Sequence, residues 1–256
     1  MEIIRFKKGK KNIYELELDN GSILKLYDDV IVKYNLIVNK HLTDKSLKEI
    51  TDYNDSLFAY YDVLKKLNTK LRCEKELREL LKKKEYNEKI INETINKLKK
   101  DGYLNRELYI KSYINDAYNF GNDGPNKIRF NLNKLGFKNE EIDQYLNQDY
   151  TKKAIRIIDK KIKSNNKSNY IFKEKMVNYL INLGYSKEIF IDYLNNININ
   201  DEAYLKKEAI QLINKYQKKY ENEKLLYFIK DKLYKKGYNI ERISEVLNDL
   251  LKKIKP

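Results

Sequence analysis

The sequence predicts a mainly α protein: tandem three-helix repeats forming an elongated curved array, preceded by a small β-hairpin-containing N-terminal module. Three observations predict this. Only eight Gly and two Pro occur in 256 residues, a composition that favours helix over sheet. From about Ser56 the apolar spacing changes from alternation to helical periodicity. Beyond that point a helix ending in a Gly-aromatic pair recurs about every fifty residues.

Residues 2–27 read as strands. The run IYELELD alternates apolar and polar side chains, with one irregularity at Tyr14. Asn20-Gly21 separates it from SILKLY, which predicts a hairpin with a type I′ turn, both central residues at positive φ. Asp28-Asp29 precede VIVKYNL, a short helix or strand. Thr43, Asp44 and Ser46 predict another short helix through Ile50. Residues 1–52 form this module, read as a docking or capping unit, and 53–73 form a linking helix. Leu57, Tyr60, Tyr61, Leu64 and Leu67 line one face of that helix.

The repeats follow. KELRELLKKKEY (75–86), NKIRFNLNKLGF (126–137), EKMVNYLINLGY (174–185) and YFIKDKLYKKGY (227–238) share one pattern, and their final aromatics are 51, 48 and 53 residues apart. Gly136, Gly184 and Gly237 precede three of the aromatics, and Glu85 stands before the first. A Gly there can take the left-handed conformation that ends a helix, at no Cβ cost. Asn87, Asn139 and Ser186 then sit at expected N-cap positions, with Glu88, Glu140 and Glu188 near the positive end of the next helix dipole. A third helix follows in the first three copies. The expected boundaries are 74–120, 121–168, 169–220 and a two-helix partial repeat at 221–256. Each unit buries its apolar face only against a neighbour.

GNDGPNKIR (121–129) concentrates two Gly and a Pro. A phosphate loop needs a Gly-rich turn after a strand, ending in Lys-Ser or Lys-Thr. Here Lys127 precedes Ile128 and the flanking segments are helical. The segment instead reads as a repeat junction, with Asp123 or Gly124 as cap and Pro125 at the first helical position.

The chain carries 53 basic and 38 acidic residues, a net +15. Residues 1–50 hold ten basic and eight acidic side chains, so the remainder carries +13. Such an excess suits a polyanion or a large acidic protein surface. Abundant Lys, Asn, Ile and Tyr also follow from an AT-rich genome, so the 23 Tyr are not by themselves a sign of base stacking. Cys73 and His41 are the only residues of their kinds. They make neither an internal disulfide nor a four-ligand zinc site, and no motif supports a Cys–His nucleophile. No catalytic residue, metal or cofactor is expected, and no nucleotide loop or nucleophile motif points to an enzyme. The first ten residues lack an apolar signal segment and no apolar run approaches membrane-spanning length. The expectation is a cytoplasmic monomer with no membrane partner.

The candidate contacts are basic groups on helix faces. Lys82, Lys83 and Lys84 close the first helix of repeat one. Lys127, Arg129 and Lys134 lie on the first helix of repeat two. On the third helix of that repeat, Lys153, Arg156, Lys160 and Lys163 fall at i, i+3, i+7 and i+10, a continuous stripe beside an apolar face of Ala154, Ile155, Ile158 and Ile162; Lys152 and Lys161 add charge nearby. Tyr109, Tyr113 and Tyr118 offer either stacking faces or interhelical packing.

Residues 73–146 resemble the core of the RecX recombination regulators. The resemblance rests on an E-K-E-L-R helix (74–78), a turn with Lys99, Gly102, Tyr103, Leu104 and Asn105, and a G-P-x-K-I-R-x-x-L stretch from Gly124, followed by Leu135-Gly136-Phe137. With the β-containing start and the extra C-terminal repeat, it extends over nearly the whole chain and is similar to the longer, Gram-positive form. There are departures. LRC (71–73) stands where the family often has R-x-R-S, Glu85 replaces a usual Gly, and Asn126-Lys127 replaces a basic pair. The resemblance implies a RecA regulator in DNA repair, recombination and the SOS response. It would lie in the RecA–ssDNA filament groove and suppress ATPase, strand exchange and coprotease activity, with the RecA filament, single-stranded DNA and, less directly, double-stranded DNA as partners. The other reading is a helical-repeat DNA-binding protein acting without RecA.

Overall fold

A computed structural model describes residues 1–220 and 222–254, without the side chains of 222 and 251–254. Residue 221, where the expected fourth repeat begins, and residues 255–256, where it ends, lie outside the described residues. The chain forms two compact units, 1–112 and 113–256.

The first unit opens with a three-stranded antiparallel sheet, β1 (Ile3–Lys8), β2 (Ile13–Leu18) and β3 (Ile23–Tyr27), in sequential order. Leu16, Leu18 and Leu26 are buried with Ile3, so the alternation read from the sequence sets the inward face. The type I′ turn expected at Asn20-Gly21 is corrected. Only Gly21 has positive φ (79°). The Gly21 N–H donates to Leu18 O and the Leu18 N–H to Ser22 O, both at 2.9 Å, which is a three-residue loop with Gly in the left-handed position. The double left-handed pair lies in the other hairpin, at Lys11 (56°) and Asn12 (59°).

Residues Asp28–Lys33 form α1. The short helix expected through Ile50 is also corrected, since it is the start of a 24-residue helix, α2 (Asp44–Leu67), capped by Thr43, whose side chain accepts from Ser46 N–H at 3.1 Å. One helix serves two cores. Ile50 and Leu57 pack with the sheet, and Ala59, Tyr60 and Val63 pack with α3 (Glu74–Lys82) and α4 (Glu88–Lys100). Asn54, buried in the middle of α2, accepts from Tyr27 N–H (3.1 Å) and donates to Lys25 O (2.9 Å), which ties α2 to the open edge of β3. Asn87 caps α4 as expected, accepting from Ile90 N–H at 2.9 Å. Helix α5 (Arg106–Asn119) contains the division between the two units.

The second unit is helical throughout its described residues: α6 (Pro125–Lys134), α7 (Asn139–Asp143), α8 (Tyr150–Ile162), α9 (Asn169–Asn182), a 3-10 turn (Lys187–Ile189), α10 (Ile191–Asn196), α11 (Glu202–Tyr216), α12 (Asn222–Lys235) and α13 (Ile240–Ile254). The expected Asn139 cap is displaced by one residue. Lys138 occupies the cap position, and Asn139 Oδ1 accepts from Asn133 Nδ2 instead.

Four helix ends, one per expected repeat, share one hydrogen-bond pattern, which the end of α4 shows as well, with Tyr103 N–H donating to Leu98 O (2.9 Å) after left-handed Gly102 (79°). The aromatic N–H donates back to a leucine carbonyl: Tyr86 to Leu81 (3.3 Å), Phe137 to Leu132 (3.2 Å), Tyr185 to Leu180 (3.0 Å) and Tyr238 to Leu233 (3.3 Å). The preceding residue is left-handed each time, at Glu85 (63°), Gly136 (89°), Gly184 (86°) and Gly237 (76°). This is the Schellman termination, and it buries Phe137, Tyr185 and Tyr238 against the helices they end. Glu85 takes the conformation without the benefit of a Gly.

Candidate polyanion interface

GNDGPNKIR is a joint. Gly124 is the N-cap of α6, with Pro125 in the first turn. Its N–H donates to Leu183 O at 2.6 Å, and the Asn126 N–H donates to Gly184 O at 3.0 Å. The start of α6 thus sits on the turn that ends α9, backbone against backbone. A Cβ on Gly124 would lie 2.6 Å from the Gly184 carbonyl carbon. A similar joint follows, where Ser168 at the start of α9 donates from its hydroxyl to Lys236 O (2.6 Å), beside Gly237. Glycine is required in these turns for both its conformation and its lack of bulk.

The cations of this joint are committed internally. Lys127 pairs with Asp123 at 2.9 Å. Arg129 holds Asp143 through two nitrogens (2.8 and 2.9 Å) and Asn126 Oδ1 at 3.0 Å. Asn126, which departs from the basic residue of the resembling family, therefore anchors Arg129. Lys134 lies over the Phe130 ring at 4.3 Å. In the first unit, Lys82 pairs with Glu88 (2.7 Å) and Lys84 with Asp62. Lys83 between them is exposed, with no carboxylate partner among the described residues.

Helix α8 holds the free charge, and its stripe needs correcting at one end. Lys153 is 9% exposed; its Nζ donates to Ala117 O at 2.7 Å and lies 5.0 Å from the Tyr118 ring centroid. Burial pushes its pKa down, opposed by nearby Asp123. It satisfies a carbonyl in the last turn of α5 and cannot meet an external anion. The geometry explains the difference. At about 100° per residue, Tyr150, Ala154, Ile157 and Ile158 share one arc with the Lys153 direction near its edge, and these four are the buried apolar residues of α8, whereas Ile155 and Ile162 are half-buried. Lys152, Arg156 and Lys163 point the other way, Lys160 lies on the same edge as Lys153 two turns on, and all four are exposed. None of the four pairs with a carboxylate among the described residues. Lys152 thus takes the place expected of Lys153. Lys161 lies over the Tyr179 ring at 5.0 Å.

The tyrosines considered for stacking are largely occupied. Tyr109 is buried and donates to Glu76 at 3.1 Å. Tyr118 donates to Asp149 O at 3.2 Å and packs edge-on against Tyr150. Cys73, at the N-cap of α3, is buried, and burial pushes its thiol pKa up. No group of His, Cys, Asp and Glu among the described residues could hold a metal ion, and no described helix is long and apolar enough to cross a membrane.

This surface lies in a chain with clear relatives. A regulatory protein RecX of Streptococcus pneumoniae is 30% identical over 98% of this chain and 100% of its own length. The chain belongs to the RecX family. A RecX of Streptococcus gordonii is likewise 30% identical, over 97% of this chain and 99% of its own. The family model for the first three-helix domain of RecX matches residues 59–98, covering the end of α2, α3 and most of α4. A crystal structure of a regulatory protein RecX superposes with a TM-score of 0.64 at 20% identity, over 77% of this chain and 100% of its own, which shows a shared fold. Membership in the RecX family carries a regulatory role in DNA repair and recombination.

Proposed function

We propose that this protein binds the RecA–ssDNA filament and lowers its ATPase, strand-exchange and coprotease activities, with no catalytic group of its own. The observation that carries the reading is the cationic face of α8. Lys152, Arg156, Lys160 and Lys163 present four exposed charges that no internal carboxylate neutralises among the described residues, whereas Lys82, Lys84, Lys127 and Arg129 are spent on ion pairs within the fold. A face of this kind meets a phosphate backbone or an acidic protein surface. A regulator that binds one filament state more tightly than another shifts the population by that difference alone, so inhibition needs only contacts.

The test is a RecA–ssDNA ATPase titration beside strand binding at two salt concentrations. Wild-type protein suppresses hydrolysis, and reversal of the four α8 cations to Glu abolishes the suppression with the fold intact. If all four cations meet phosphates of a single strand, reversal flattens the log–log salt dependence of strand binding by about 3. Full suppression by the reversed variant would remove α8 from the mechanism. Salt-dependent strand binding with no effect on RecA by the wild type would replace the proposal with the DNA-binding reading.

A further inference from the structure

Within the second unit a cleft of about 680 Å³ opens between the start of α9, the end of α12 and the start of α13. Its size falls in the range of small-ligand sites, roughly 300–1,000 Å³. Tyr170 and Tyr234 line it and are 65% and 60% exposed, unlike the packed tyrosines of α5 and α8. Tyr238 also lines it and is only 3% exposed, yet among the described residues its hydroxyl has no hydrogen-bond partner, and neither has Asn169 Oδ1. Buried polar groups are nearly always satisfied; both atoms are shut off from solvent, so a ligand in the cleft completes their bonding only by displacing the side chains that cover them. Arg242 lines the same wall, 3.6 Å from buried Asp201, which accepts from the Asn169 N–H at 2.7 Å.

The required ligand has a flat face for two exposed phenol rings, donors and acceptors on its edge for the Tyr238 hydroxyl and Asn169 amide, and a negative group near Arg242. A nucleotide has all three. We infer that this cleft seats one base of a single-stranded nucleic acid, with Tyr170 and Tyr234 as stacking surfaces and Tyr238 and Asn169 as edge contacts. The inference rests on the strand contact in the proposed function and adds a second, base-dependent point of attachment. Stacking on aromatics tolerates any base, as a regulator that must act along any strand requires.

The experiment compares a fluorescent oligo-dT with an abasic strand of equal length. Wild type binds the base-containing strand more tightly. Tyr170→Ala with Tyr234→Ala weakens oligo-dT binding by about tenfold, leaves abasic binding and the salt slope unchanged, and erases the difference between strands. Tyr238→Phe weakens oligo-dT binding roughly threefold without lowering the Tm, because it deletes a hydroxyl with no partner and keeps the packed ring. A strand carrying 5-iodo-deoxyuridine photocrosslinks to Tyr170 or Tyr234. Equal wild-type affinity for both strands, or crosslinks confined to other helices, overturns the cleft as a base site. Equal crosslinking by free 5-iodo-deoxyuridine monophosphate at the same concentration overturns its assignment to a strand. A failure of the RecA reading shows separately: base-dependent binding persists while RecA ATPase is untouched.

Discussion

Replacing Gly184 with Ala tests the joint between α6 and the end of α9. Gly184 has φ 86°, and a Cβ there would lie 2.4 Å from the Lys127 N and 2.5 Å from the Lys127 Cβ. The left-handed conformation costs a non-glycine residue about 1 kcal/mol. Relieving the overlap requires the start of α6 to retreat by about 1 Å, beyond the reach of a hydrogen bond. That retreat breaks the bonds from Gly124 N–H to Leu183 O and from Asn126 N–H to Gly184 O, at about 1 kcal/mol or more each. The total is about 3–5 kcal/mol. Gly136 is the internal control, because it has a similar φ of 89° and nothing lies within 4 Å of where its Cβ would stand. Gly136→Ala therefore costs only the conformational strain, about 1 kcal/mol. Urea denaturation followed by far-ultraviolet circular dichroism measures both. Equal destabilisation by the two substitutions would refute the backbone joint and leave Gly184 as an ordinary helix terminator.

Three further outcomes follow from the geometry. Lys153→Met removes the ammonium that satisfies Ala117 O and destabilises by about 1–3 kcal/mol, while Lys160→Gln on the exposed face changes stability by less than about 0.5 kcal/mol; thermal melts of the pair separate structural from interfacial lysines. Glu85→Gly relieves a left-handed non-glycine residue (φ 63°) and raises stability by up to about 1 kcal/mol in urea, and a loss would show that the Glu85 side chain has a stabilising role. Burial raises the phenol pKa of Tyr150 to about 12 and raises those of Tyr185 and Tyr238 still further. A raised folded pKa is stabilising below the unfolded value of about 10 and loses that contribution as pH climbs through the folded value. Stability should therefore fall above pH ~10, by about 1.4 kcal/mol per pH unit for each phenol held neutral, with the buried phenols adding a second rise in phenolate absorbance that coincides with unfolding, after the exposed tyrosines have ionised.

The helix ends are legible in sequence because their chemistry is local. A Gly before an aromatic prescribes a left-handed termination, and Pro125 prescribes a first turn, whatever lies around them. The turn at Asn20-Gly21 is ambiguous because its dipeptide fits two loop lengths, and the three-residue loop prevails where β2 and β3 pair Glu17 with Ile23. Helix α2 reads as two pieces because its buried face changes partner midway, from the sheet to α3 and α4, so no single apolar stripe marks its length. The α8 stripe is legible in composition and wrong in one member, because spacing gives relative direction along a helix and only packing fixes where solvent lies. The Tyr170–Tyr234–Tyr238 cleft has no sequence signal beyond abundant tyrosine, since its walls come from segments about seventy residues apart.

Asn54 has a consequence for the behaviour of the whole N-terminal sheet. The outer edge of a terminal strand offers unpaired N–H and C=O groups to any passing extended chain. By taking the Tyr27 N–H and the Lys25 carbonyl with its amide, Asn54 plugs that edge as a neighbouring strand would, but with a side chain that cannot be extended. On that side the sheet stops at β3, closed by one amide in place of a fourth strand.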